Sequence, residues 1–191
     1  MSLQPKTYLT PEEYLALERK AEYKSEYLAG EMFAMSGASP RHVLIVTNVV
    51  AELRGQLKQR PCTVYSSDLR VKVSPTGLYS YPDVVVVCDQ PQFADEQRDT
   101  LLNPTLIVEV LSESTKDYDR GEKFEHYRTL PSLREYILIA QDKYHVEHFV
   151  RQPDNRWLLS ETNLLEDTIH LSSIACDLAL AEVYDKVEMP A

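Results

Sequence analysis

Two carboxylates and a lysine stand in this chain where a hydrophobic core would not choose them. Asp83 heads the run Tyr81-Pro82-Asp83-Val84-Val85-Val86-Val87, Glu109 lies inside Leu106-Ile107-Val108-Glu109-Val110-Leu111, and Lys123 closes Asp119-Arg120-Gly121-Glu122-Lys123. Unbroken apolar runs of this kind read as strands covered on both faces. A carboxylate within one must meet a cation, take up a proton or line a solvated cleft, because an unpaired buried charge is strongly unfavourable. Asp83 and Glu109 are 26 positions apart, so neighbouring strands would bring them together at one edge of a sheet. Close carboxylates repel, and Mg²⁺ or Mn²⁺, hard cations that take oxygen ligands, relieve that repulsion. Such an ion polarises a phosphoryl oxygen, lowers the pKa of a bound water and steadies the leaving oxygen. The matching reaction is phosphodiester hydrolysis.

Lys123 would lie near the start of a helix beside Phe124 and Tyr127, from which its ammonium could position the attacking water or stabilise developing charge. The bland alternative is a surface lysine paired with Asp119 at i, i+4. Asp83 is otherwise a strand-start residue after a proline, and Glu109 otherwise a structural salt bridge to Arg70 or Lys72.

The elements that would hold these residues follow from local signals. Thr10-Pro11-Glu12-Glu13 combines a capping box with a proline at the first helical position, which predicts a helix to about Lys20 with Tyr14, Leu15 and Leu17 as its contacts. Two short strands flank a turn at Ala29-Gly30, with Glu31 beside it. Val43, Leu44, Thr47, Val50, Ala51, Leu53 and Leu57 recur at helical spacing, giving a long amphipathic helix from Pro40 to about Arg60. Strands are expected at Cys62–Ser66, at Asp68–Val73 with Arg70 and Lys72 facing solvent, and at Asp83–Cys88, Thr105–Leu111 and Glu135–Ala140. Asp119 with Glu122 suggests a cap for a helix reaching Leu130. Tyr144–Val150, Arg156–Glu161 and Thr168–Leu171 read as an antiparallel extension, followed by a short helix near Asp177–Tyr184. The result is a mixed α/β (α+β) fold in one domain over 1–191: a helix and hairpin at 10–36, a core at 38–141, and strands with a helix at 142–186.

The 191 residues carry a formal charge of −10 from 20 basic and 30 acidic side chains, which argues against general binding to nucleic acid through Lys and Arg. A local strip of Lys116, Arg120, Lys123 and Arg128, supported by Arg54, Lys58 and Arg60, is still conceivable, as are ordinary solvated helix faces. No apolar run is long enough to span a membrane and Met1–Lys6 has no signal-peptide core, so a cytoplasmic protein is expected. Three cysteines without CxxC spacing read as core thiols. His145-Val146-Glu147-His148 has ligand-like spacing, but in a strand its histidines face opposite sides, which makes it a surface segment. Ser112, Ser114 and His126 lack a nucleophile elbow. The five glycines are isolated, so no phosphate-cradling loop is present.

Across about Tyr14 to Val150 the chain resembles the Uma-two family of restriction-type endonucleases, a bacterial branch of the PD-(D/E)XK nuclease superfamily. The resemblance is carried by Tyr27-Leu28-Ala29-Gly30-Glu31, His42, Pro82-Asp83 with the four valines after it, Val108-Glu109-Val110-Leu111-Ser112, Asp119 to Lys123, Tyr127 and Glu135-Tyr136. It implies a restriction-endonuclease-like fold whose αβββαβ core agrees with the order read above. It also implies that Asp83 and Glu109 bind Mg²⁺ or Mn²⁺, helped by the Val110 carbonyl, with Glu31 as a further carboxylate and Tyr127 orienting a ligand. Leu111 stands where the superfamily's catalytic lysine usually does, so that role falls to Lys123. The implied activity is a metal-dependent endonuclease acting on nucleic acid, DNA in the first place, as a homodimer. The competing expectation is a noncatalytic interaction or regulatory protein that keeps the fold.

Overall fold

In the computed structural model, which describes residues 8–190, the helix α1 (Pro11–Glu18) begins on the capping box: Glu13 N–H reaches Thr10 Oγ1 and Thr10 N–H reaches the Glu13 carboxylate. Tyr14 is its buried anchor, while Leu17, expected to pack, is half exposed. Strands β1 (Ser25–Leu28) and β2 (Glu31–Ala34) form a hairpin through Ala29 and Gly30, both at positive φ, as a two-residue turn with the right twist requires. A Cβ on Gly30 would meet the Tyr8 ring at 2.7 Å.

Helix α2 (Pro40–Leu57) starts at the N-cap Ser39. It buries Ile45, Val49, Leu53 and Leu57, whereas Val43 is exposed. Of the expected face, Leu53 and Leu57 are buried and Leu44 and Val50 pack against the core, while Val43 turns outward and Ile45 and Val49 go in, because the Val43–Ala51 run is apolar around most of the helix and only contact with the sheet selects a side. β3 (Cys62–Ser66), β4 (Arg70–Val73) and β5 (Leu78–Ser80) follow, then β6 (Val84–Cys88), the two-residue β7 (Thr100–Leu101) and β8 (Leu106–Leu111). Helical residues then run as α3 (Lys116–Tyr118), a π-helical turn Asp119–Lys123 and α4 (Phe124–Tyr127). Helix thus begins before Asp119, which is buried mid-run and does not cap it. β9 (Glu135–Ala140), β10 (Val146–Arg151), β11 (Trp157–Thr162), β12 (Thr168–Leu171), β13 (Cys176–Ala179) and α5 (Leu180–Val183) complete the chain. β13 takes the first half of the segment expected to be helical, because its residues pair with β12.

The central sheet has the order β11-β10-β9-β8-β6-β3, antiparallel throughout except for the parallel β8–β9 pair. That exception is the crossover through the α3–α4 region, as parallel neighbours demand. With α2 in front, the expected αβββαβ core is α2, β3, β6, β8, the α3–α4 region and β9. A second sheet, β2-β1-β5-β4-β7, lies over one face.

Side-chain parity sorts two cores. Val84, Val86, Val108 and Val110 pack with α2 and the β12–β13 hairpin. Val85, Val87, Ile107 and Leu111 pack with β4, β5 and α4. The inner strands β6, β8 and β9 are covered on both faces, which accounts for their continuous apolar runs.

Two further expectations fail. Arg70 is buried, not solvent-facing: it donates to Thr100 and Tyr81 and pairs with Asp99. Cys62 and Cys88 are not free thiols but a disulfide, because the antiparallel register of β3 and β6 sets them directly opposite with Cα atoms 4.0 Å apart. Cys176 is the buried free thiol. Among the described residues no helix is long and apolar enough to cross a membrane.

Candidate active site

Between β5 and β6 the chain leaves one sheet for the other, and Asp83 stands at that switch. The β6–β8 register pairs Val84 with Val108, so the next position places Asp83 across from Glu109, both on the face that looks toward the second sheet. Pairing ends there, which frees backbone groups. The Val110 N–H donates to Asp83 Oδ2 at 2.7 Å, and His42 Nε2 meets Oδ1 at 2.9 Å. His42 comes from the first turn of α2, whose Ser39 cap also receives its N–H.

Glu109 is 4% exposed. Its Oε1 lies 2.9 Å from Lys123 Nζ and accepts the Tyr127 hydroxyl at 3.0 Å. Tyr127 also meets Ser80 Oγ at 2.9 Å. Lys123 is itself buried, with Asp119 Oδ1 and Glu26 Oε1 each 3.3 Å from Nζ. The π turn adds a residue to its helical run, so that Asp119, Lys123, Phe124 and Tyr127 are all buried; insertions of this kind recur at functional sites.

Three carboxylates thus surround one ammonium, and Asp83 adds a fourth negative charge close enough to act on Glu109. Burial pushes the Glu109 carboxyl well above the ordinary range; Lys123 opposes this, while Asp119 and Asp83 reinforce it. Burial would pull the Lys123 ammonium down, but Glu109, Tyr127, Glu26 and Asp119 outweigh it and hold the group well above its usual value. Lys123 therefore stays charged. Tyr127 is raised by burial and by the Glu109 anion, and keeps its proton.

The bland pairing of Lys123 with Asp119 is present, but inside the protein and shared with Glu109 and Glu26. Arg70 and Lys72 do not serve Glu109: Arg70 pairs with Asp99, and Lys72 sits over the Tyr79 ring. Glu31 opens β2 opposite Leu28 and is half-buried. Glu26, which sequence reasoning passed over, is the hairpin carboxylate that reaches Lys123. Strand parity held the signal, since Glu26 shares a face with Leu28, and Leu28 packs into the layer between the sheets.

Asp83 and Glu109 supply hard oxygen donors, the chemistry Mg²⁺ or Mn²⁺ takes. A paired strand residue sends its N–H and C=O to the same side, so the Val110 carbonyl leaves toward Asp83 as well. The donor set fits such an ion in kind. Among the described residues, however, no three His, Cys, Asp or Glu side chains already converge as a metal site, because His42 and Lys123 hold the two carboxylates.

The other candidates disperse. His145, Glu147 and His148 are buried, not surface residues: His148 pairs with Glu135 at 2.8 Å, and Glu147 pairs with Arg120 at 2.7 Å. Ser112 bonds to Ser114 and Thr115, not to His126. The basic strip is interrupted, because Lys123 is internal and Arg60 is spent on the carbonyls of Ile174 and Ala175.

The sequence matches, over residues 11–181, the family described as "Uma2: Putative restriction endonuclease". It is 40% identical over 153 residues to uncharacterized protein sll1609 of Synechocystis sp., covering 80% of this chain and 86% of that one. It is 35% identical over 176 residues to uncharacterized protein slr1290 of the same organism, covering 92% and 91%. The fold is similar to the crystal structure of a putative nuclease belonging to DUF820 from Anabaena variabilis, with a TM-score of 0.76, 18% identity, and coverage of 94% of this chain and 99% of that one.

Proposed function

The chain belongs to the Uma2 family, and on that premise we propose that it is a divalent-metal-dependent endonuclease that hydrolyses phosphodiester bonds in DNA. The observation that carries this reading is Glu109, a buried carboxylate set across from Asp83 where pairing of β6 and β8 stops. Asp83, Glu109 and the Val110 carbonyl would hold Mg²⁺ or Mn²⁺. When bound, that ion supplies positive charge to the phosphoryl oxygens and an ionised water at neutral pH.

The chain's own groups do the positioning. His42 and the Val110 N–H fix the orientation of Asp83. Tyr127, braced by Ser80, orients Glu109. Lys123 carries a permanent charge to the same carboxylate, from which it can balance negative charge developing on the phosphate. It takes the part that Leu111 cannot. Glu26 and Asp119 hold the ammonium in place, and Glu31 is the remaining carboxylate of this hairpin that the reading includes.

The same proposal puts the enzyme in the cytoplasm as a homodimer, since one site cuts one strand and a duplex needs two.

One observation favours a second reading. Lys123 is engaged by three carboxylates and Asp83 by two donors, an arrangement that also suits a noncatalytic protein in which the polar cluster serves stability and specificity. Incubating purified protein with plasmid DNA and Mg²⁺ or Mn²⁺ separates the two. Cleavage that disappears in Asp83→Ala and in Glu109→Ala supports the nuclease. Cleavage that survives either change removes this site, and no metal-dependent cleavage at all leaves the noncatalytic reading.

A further inference from the structure

A cavity of about 800 Å³ opens at the end of the central sheet where β8 and β9 finish, lined by Leu111 and Ala140, the last residues of the two strands, and by Ser112 and Gln141 just beyond them. Leu111 is only two residues beyond Glu109, so the cavity adjoins the carboxylates without containing them. Its walls are basic. Arg41, Lys116, Arg120, Lys143 and Lys186 come from four separate parts of the chain, against three lining carboxylates, in a protein whose acids outnumber its bases by ten.

Two features make this more than a surface accident. Arg41 occupies the first turn of the 18-residue α2, which has no acidic residue there. A cation at that end opposes the helix dipole, and the arrangement becomes favourable only when an anion sits at the N-terminus. Lys116, Arg120 and Lys186 have acidic partners in Glu113, Glu147 and Asp185, but Arg41 and Lys143 make no ion pair with any described residue. Two uncommitted cations, a helix N-terminus and the Ser39–Gln141 hydrogen bond that ties the rim together all address one space.

We infer that this cleft binds the phosphodiester backbone of a single nucleic-acid strand on the side of the scissile phosphate nearest β9. The volume is that of a small-molecule site, roughly 300–1,000 Å³, which admits a short length of one strand but not the width of a duplex. Identifying the polyanion as nucleic acid rests on the nuclease reading; the existence of the anion cleft does not. Sequence would not be read here, because backbone contacts position a strand without distinguishing its bases.

The test is binding in the absence of divalent metal, so that cleavage is not needed. Fluorescence anisotropy with a short labelled oligothymidylate compares the intact chain, Arg41→Glu/Lys143→Glu, and Arg54→Glu/Lys58→Glu, which makes the same charge change at the far end of α2. Thermal melting of all three checks folding. The cleft variant is expected to bind at least about tenfold more weakly, and its dependence of log K on log salt should fall by roughly 1.4, about 0.7 for each phosphate that is no longer neutralised. The far-end variant should match the intact chain. Equal weakening in both variants, or no binding by the intact chain, overturns the assignment. Strand binding through the cleft without cleavage under Mg²⁺ or Mn²⁺ would uphold the cleft and remove the nuclease reading instead.

Discussion

Replacing Lys123 by methionine, which keeps the length of the side chain and deletes its charge, tests the electrostatic core of the site. Glu109, Asp119 and Glu26 would lose a cation held at 2.9 to 3.3 Å. Breaking a buried ion pair from one side costs about 3–5 kcal/mol. A second route to the magnitude is the cost of protonating the abandoned Glu109. From an unfolded pKa of about 4.3 to pH 7, at about 1.36 kcal/mol per unit, that is about 3.7 kcal/mol, of which the intact chain already bears part because burial raises the same carboxyl there. Protonation therefore caps the loss for this one group.

The sign of the pH dependence follows. Burial already raises the Glu109 carboxyl in the intact chain and losing Lys123 raises it further, so the Glu109 part of the difference is absent at acid pH, where both proteins bind the proton, and grows as pH rises through the intact chain's value. The loss at pH 5 is therefore smaller than at pH 7. Urea unfolding of the intact chain and Lys123→Met at pH 7 and pH 5 measures both differences, and with m of about 1–3 kcal/mol/M the pH 7 midpoint shift should exceed about 1 M. A loss below about 1 kcal/mol at pH 7, or the same loss at both pH values, would refute the reasoning.

Tyr127→Phe removes the hydroxyl shared by Glu109 and Ser80; a loss of about 1–3 kcal/mol in urea unfolding is expected, since Ser80 is left buried with one partner fewer. Reducing the Cys62–Cys88 bond, which spans 26 residues, should lower stability by about 3.5 kcal/mol on the chain-entropy estimate, seen as a lower melting temperature under dithiothreitol that Cys62→Ser/Cys88→Ser reproduces without reductant. Burial would raise the Glu135 carboxyl, but bonds from His148, Ser173 and Ser172 prevail and hold it below its usual value. Its contribution is therefore present above about pH 4.3 and lost as pH falls further, and Glu135→Gln should flatten that part of the acid-unfolding profile.

The inner strands of the central sheet were legible because burial on both faces writes itself as unbroken runs, and neighbouring strands were one arrangement that could bring Asp83 and Glu109, 26 positions apart, together. The second sheet was legible only in part: β1, β2 and β4 were, but β5 is three residues long and β7 only two, too short for any period to appear. α2 was plain as a helix but only partly in its phase, since Val43 and Ile45 are equally apolar and only the sheet decides that Ile45 goes inside. Arg70 misled because alternation with Val71 and Val73 looks the same whether the polar face meets water or a partner such as Asp99. Asp119 had the look of a cap, and the π turn that draws it inward leaves no local signature. Glu26 and the Cys62–Cys88 bond depend on pairing between distant segments. The family resemblance, by contrast, was carried by short contiguous stretches, and those are what sequence preserves.

The central claim is that Asp83 and Glu109 form a divalent-metal site. Titration calorimetry of Mg²⁺ and Mn²⁺ into the intact chain and into Asp83→Asn/Glu109→Gln, each alone and with a short DNA duplex to supply phosphate ligands, tests it most directly. Binding by the intact chain that vanishes in the double variant is the predicted result. No binding of either ion by the intact chain, with or without the duplex, would contradict it.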